Sequence, residues 1–244
     1  MENRELPEIS RRPFFILKSF LILLPVVFPW AAGAEELAWQ DPELKGEQED
    51  IPLVLKIAYS AFVAVLVPIY WVKWGPGNFL WFSDIALFGA LAAVWLGSSL
   101  IASMMALAVL LPELIWNVEF FFRLLTRKKI IGLTGYMFDS SRPLYLRALS
   151  LFHVILPALL LWLLFRLGYD SRVWLGQTGL AWIVLPLSYL LTAPEENVNW
   201  VFGPGDKPQK KLHPLLYLAV VMLFFPLVVY LPTHFLLNWL FGEA

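Results

Sequence analysis

Cysteine is absent from the 244 residues, which removes disulfides, thiolate metal ligands and thiol nucleophiles together. Histidine is nearly as scarce. The three present, His153, His213 and His234, are too scattered for a multi-histidine metal centre, so no metal and no cofactor is expected. Charge is short as well: 15% of residues are charged and they nearly cancel to a net −1, against about 25% charged in a soluble domain. No basic tract is long enough to expect a nucleic-acid partner.

What is present is apolar. Hydrophobic residues make up 59% and aromatics 16% of the chain, and the charges fall between long apolar runs, as in a membrane protein. Six runs, at 52–72, 79–97, 99–123, 145–167, 176–192 and 214–238, approach or exceed the ~20 residues that cross a bilayer. The fold class this implies is an all-α integral membrane protein, with six transmembrane helices in a polytopic domain over 52–244. Residues 1–34 read as a signal peptide: Arg11, Arg12 and Lys18 precede a short apolar stretch, then Ala32-Gly33-Ala34 offers a cleavage site. The alternative is an additional, uncleaved transmembrane helix. Residues 35–51, with Glu35, Glu36, Asp41, Glu43, Glu47, Glu49 and Asp50, read as an acidic extracytoplasmic segment.

Lys and Arg set the orientation. Lys73, then Arg127, Lys128, Lys129 and Arg142, then Lys207, Lys210 and Lys211 all occupy alternate loops, and the acidic segment falls on the other side. The expectation is a bacterial-type inner (plasma) membrane, basic loops cytoplasmic and the C-terminus outside. Small residues at Gly89, Ala93 and Gly97, and at Ala102 and Ala106, let two helices approach closely. Pro68, Pro112, Pro157, Pro186 and Pro226 fall inside five of the six runs. Each removes a backbone hydrogen bond and frees the carbonyl four residues earlier, which a neighbour must satisfy.

Ionisable groups inside a membrane segment cost roughly 2.5–3.5 kcal/mol on insertion scales and mark candidate sites. Ser83 and Asp84 lie early in the second run, Glu113, Asn117 and Glu119 in the third, and His153 in the fourth. By rise per residue, Ser83 and Asp84 are roughly 8 Å and His153 about 13 Å in from the basic side. Glu113 and Asn117 share a helix face at a spacing of four; Glu119 points elsewhere, toward Arg123. Histidine is the side chain type suited to take up and release a proton at physiological pH, which makes His153 the candidate general base. Ser83 then reads as a nucleophile, with Asp84 or Glu113 orienting the imidazole. The competing reading is hydrogen bonding that only locks the helices. Asn117, Tyr136, Arg142 and Asn199 are candidate substrate contacts, since Arg suits phosphate and Asn can hold an ester carbonyl.

Phe82-Ser83-Asp84-Ile85, Leu151-Phe152-His153-Val154 and Asn199-Trp200-Val201-Phe202 followed by Lys207-Pro208 carry a resemblance. The arrangement resembles the androgen-induced intramembrane hydrolases and their bacterial and acyltransferase-like relatives. In those an early-helix Thr or Cys nucleophile is followed by a mid-membrane His, and Ser83 stands here in the nucleophile position. The resemblance implies a lipid hydrolase or acyltransferase, with the bilayer as partner and a lipid as substrate. Two other readings stand beside it. One is a small proton-coupled transporter relaying through Asp84, Glu113 and His153. The other is a non-catalytic subunit packed against a larger membrane complex.

Overall fold

A computed structural model describes residues 51–205 and 207–242. The expected leader at 1–34 and all but the last residue of the acidic segment lie outside the described residues. Within them every regular element is helical. The order is α1 (Leu53–Trp74), a 3-10 turn (Pro76–Leu80), α2 (Phe82–Leu96), α3 (Ser99–Thr126), a second 3-10 turn (Gly135–Phe138), α4 (Leu144–Leu149), α5 (Phe152–Leu167) and α6 (Val173–Leu191). A third 3-10 turn (Val198–Trp200), α7 (Pro214–Phe224), a π-helical turn (Phe225–Tyr230) and α8 (Leu231–Phe241) complete it.

These elements make the six apolar segments of a helical membrane bundle. Five are long and apolar enough to cross a bilayer: α1, α3, α4 with α5, α6, and α7 through α8. The sixth, α2, has 15 residues and at 1.5 Å per residue reaches about 22 Å. It begins at Phe82 rather than 79, because the Pro76–Leu80 turn and an extended Trp81 (φ −58°, ψ 136°) precede it. Ser83 and Asp84 therefore open a helix instead of lying a turn and a half inside one. The expected run 145–167 is also divided: the chain turns at Ser150 and Leu151, so His153 is the second residue of α5.

The helix α3 is the axis of the bundle. Of its most apolar stretch 61% is buried inside the protein, against 22% for α1, and it packs on α2, α5, α6 and α8. The small-residue stripe works as its spacing predicts. Gly89 of α2 leaves a notch filled by the Met105 side chain of α3, where a Cβ would collide with the sulfur. Ala90, Ala93, Ala102 and Ala106 are fully buried along the same seam. Between the two helices, Gly97 takes the left-handed conformation (φ 63°) and Ser98 Oγ accepts the Ile101 N–H at 3.3 Å, ending one helix and capping the next.

The three basic loops gather at one end. The Arg142 guanidinium lies 4.8 Å over the Trp74 ring, joining the loop after α3 to the end of α1. Asn199, after α6, bonds Leu80 in the loop before α2 and Phe82, the first residue of α2. At the other end Tyr169 N–H donates to the Phe241 carbonyl at 3.1 Å and Asp170 N–H to Ser103 Oγ at 3.0 Å.

Candidate functional site

Where α3 and α5 cross, each brings one polar residue to the other. Glu113 is buried at 3% exposure, and both its oxygens reach His153 Nδ1, at 2.8 and 2.9 Å. Two aromatic rings stack on the imidazole. The Trp116 ring stacks at 4.8 Å and 27°, the Phe152 ring at 4.1 Å and 28°. Nδ1 is thereby occupied and the ring plane fixed, while Nε2 bonds no described residue. Trp116 is three residues after Glu113, on its face of the helix. That spacing was a usable signal for a missed residue.

Pro157 explains why Asn117 is there. It cannot donate to the His153 carbonyl four residues back, and Asn117 Nδ2 supplies the missing donor at 2.7 Å while also bonding the Glu113 carbonyl at 2.8 Å. Asn117 thus positions the histidine backbone, and both its amide hydrogens are committed within the protein. Pro226 repeats the device: it frees the Met222 carbonyl, and Trp182 Nε1 donates to it at 2.9 Å.

Asp84 is buried at 3% exposure. Its Oδ2 accepts from Asn78 at 3.2 Å, while Oδ1 has no partner. The Glu113 charge acts on Asp84, and that of Asp84 on Tyr70, so the two acids share one electrostatic neighbourhood. Neither Asp84 nor Ser83 hydrogen-bonds the His153 ring. Ser83 is half-buried, with no side-chain hydrogen bond among the described residues. Ser150, which shares the histidine's turn, is spent on Tyr70 at 2.9 Å and the Leu146 carbonyl at 3.1 Å. Tyr70 and Asn78 are neighbours of the site that sequence reasoning missed; nothing in α1's apolar pattern singles out Tyr70.

The remaining candidates sit nearer the basic end. Tyr136 lies between Trp116 (ring centroids 6.5 Å) and the Arg142 guanidinium (5.8 Å), and burial pushes its phenol above the ordinary range. Glu119 does not pair with Arg123. Its carboxylate accepts the Gly132 and Leu133 N–H groups, because a buried acid gains more from two fixed backbone donors than from one mobile cation, while Arg123 lies over the Phe138 ring at 4.8 Å. Asn199 is also committed internally: Oδ1 accepts the Phe82 N–H at 3.0 Å, and Nδ2 donates to the Leu80 carbonyl at 2.7 Å and to Ser188 at 3.1 Å. It caps α2 from 117 residues away. Among the described residues no cluster of three or more His, Asp or Glu has metal-binding geometry.

No family model matches this chain, and no curated protein and no solved structure matches it.

Proposed function

We propose that this protein is an intramembrane hydrolase or acyltransferase acting on a lipid ester, with His153 as general base at the cytoplasmic end of the bundle. The observation that carries the reading is the Glu113 carboxylate on His153 Nδ1. A carboxylate there holds the proton on Nδ1 and leaves the lone pair on Nε2, the nitrogen that bonds no described residue, and it stabilises the imidazolium that forms when Nε2 takes a proton. Ser83 is the nucleophile in this reading. Its hydroxyl is uncommitted, and it lies in the first turn of α2, where the helix dipole favours developing negative charge; α2 packs against both α3 and α5.

Nε2 accepts the Ser83 hydroxyl proton as the oxygen attacks the ester carbonyl. The imidazolium returns that proton to the departing alkoxide, and water, or an acceptor alcohol, releases the acyl group by the same path. The likeness of Phe82-Ser83-Asp84-Ile85 and Leu151-Phe152-His153-Val154 to the androgen-induced hydrolases points the same way. Inner-membrane placement with the basic loops inside follows from the Lys and Arg distribution. A fluorophosphonate acyl mimic should label the purified protein at Ser83. Labelling should vanish in Ser83→Ala and fall by roughly 10²-fold or more in His153→Ala. Undiminished labelling in both variants sinks the proposal.

Asp84 favours a second reading. A buried carboxylate with an unpartnered oxygen, coupled to a Glu–His pair, is the make-up of a proton relay. In a proton-coupled transporter Ser83→Ala is nearly silent, whereas Asp84→Asn and His153→Ala each abolish pH-driven uptake into proteoliposomes.

A further inference from the structure

Three arginines surround the 3-10 turn Gly135–Phe138. Arg123 lies with its guanidinium 4.8 Å over Phe138. Arg142 lies 4.8 Å over Trp74 and 5.8 Å from the Tyr136 ring. Arg147 donates to the Met137 carbonyl at 3.3 Å, and its Nε is buried with no partner. The acids facing them do not balance this charge. Glu119 is consumed by the backbone N–H groups of Gly132 and Leu133. Asp139 Oδ1 is held by Ser141, and its Oδ2 stays 3.6 Å from Arg142 Nε.

A guanidinium held over an aromatic ring is attracted to the face of the ring rather than through its N–H groups, and those N–H groups match the oxygens of a phosphate. The location gives this a use. Tyr136 is next to Trp116, and Trp116 stacks on His153, so two aromatic rings separate Arg142 from the imidazole. In a glycerophospholipid the phosphate and the acyl esters sit on one three-carbon unit. We propose that Arg142 and Arg147, with Arg123 at the rim, bind the phosphate of an anionic phospholipid and so present its ester to His153. The substrate role rests on the hydrolase reading; the binding does not.

Binding is read by titration calorimetry on the full chain in neutral detergent, with dioctanoyl phosphatidylglycerol as probe and dioctanoylglycerol and inorganic phosphate as comparison arms. The phospholipid should bind roughly tenfold or more tighter than either, and Arg142→Gln and Arg147→Gln should each erase about that margin. Asp139→Asn should tighten binding by removing the competing carboxylate, which keeps the test decisive if an arginine variant does not fold. Lys128→Gln, an exposed cation of the same loop, should change affinity less than about twofold. His153→Ala should bind normally while losing fluorophosphonate labelling; retained labelling with binding intact counts against the hydrolase reading alone. Equal affinity for dioctanoylglycerol overturns the site, and equal affinity for inorganic phosphate overturns the lipid assignment. A loss in Lys128→Gln as large as in Arg142→Gln reduces it to diffuse surface attraction and overturns it too.

Discussion

Asn117 is a long way from any ordinary role for a membrane asparagine, which is to hydrogen-bond a side chain on the next helix. Its amide instead replaces the backbone donor that Pro157 lacks. Removing it leaves a buried carbonyl bare, and Asn117→Ala should lower stability by about 1–3 kcal/mol. The cost has a specific remedy. In a Pro157→Ala background residue 157 regains an N–H that can reach the His153 carbonyl, so Asn117→Ala should cost less there by about 1 kcal/mol. Apparent melting temperatures of the four proteins of the cycle in one detergent measure this; purely additive effects would show that the amide does not serve that carbonyl. The freed carbonyl was legible in the sequence, because a proline's missing donor is a local fact. The identity of the residue that fills the gap was not.

Among the elements, the loop from Asn197 to Gly205 carries the most strain and the most restraint. Asn197, Asn199 and Trp200 have φ of 43°, 52° and 59°, a conformation costing non-glycine residues roughly 1–2 kcal/mol each. Asn197 offsets it by donating to the Gly203 and Gly205 carbonyls at 2.8 and 2.7 Å and accepting the Phe202 N–H at 2.9 Å. Asn199 offsets it by capping α2. Asn199→Ala should therefore destabilise by roughly 2–4 kcal/mol, and Asn199→Gly by about 1 kcal/mol less, because glycine accepts the dihedral. Equal losses in thermal unfolding would mean the backbone strain is not real. Fluorophosphonate labelling should fall in both variants, since Ser83 follows the capped residue directly.

The turn between α5 and α6 sets a pH dependence. Burial alone would raise the Asp170 carboxyl, but the Arg172 side chain and backbone N–H outweigh it and hold it below the usual carboxylate range. A depressed folded value means the stabilisation is complete above the unfolded pKa, about 3.9, and is lost as pH falls through the folded value. Arg172 is 66% exposed, so screening keeps the pair below about 1 kcal/mol. Asp170→Asn should melt slightly earlier than the parent at pH 7, and the gap should close under acid conditions below about pH 3.9; a gap that widens would reverse the sign of the argument.

For the whole molecule, the basic loops converge on one end through Arg142 on Trp74 and Asn199 on Leu80. The cysteine-free sequence makes this easy to test, because a single introduced cysteine reports without background. Ser140→Cys and Gln209→Cys should react with an impermeant maleimide from the cytoplasmic side only, and Ser171→Cys from the outer side only. Opposite accessibility of Ser140→Cys and Gln209→Cys would contradict the bundle itself; a joint reversal would invert only its orientation.

Hydropathy, loop charge and proline position determined the membrane class, the six apolar segments, their alternation and the carbonyls in need of donors. Each of these is a cost the bilayer imposes on residues one at a time, so a linear reading recovers it. Tertiary structure alone decided that Glu113, and not Asp84, holds His153, that Glu119 serves the loop at Gly132 rather than Arg123, and that α2 starts where Asn199 meets Phe82. Those outcomes depend on how far each helix is rotated and where it is broken. Rotation is set by contacts such as Met105 in the notch at Gly89, between residues whose pairing no sequence spacing specifies.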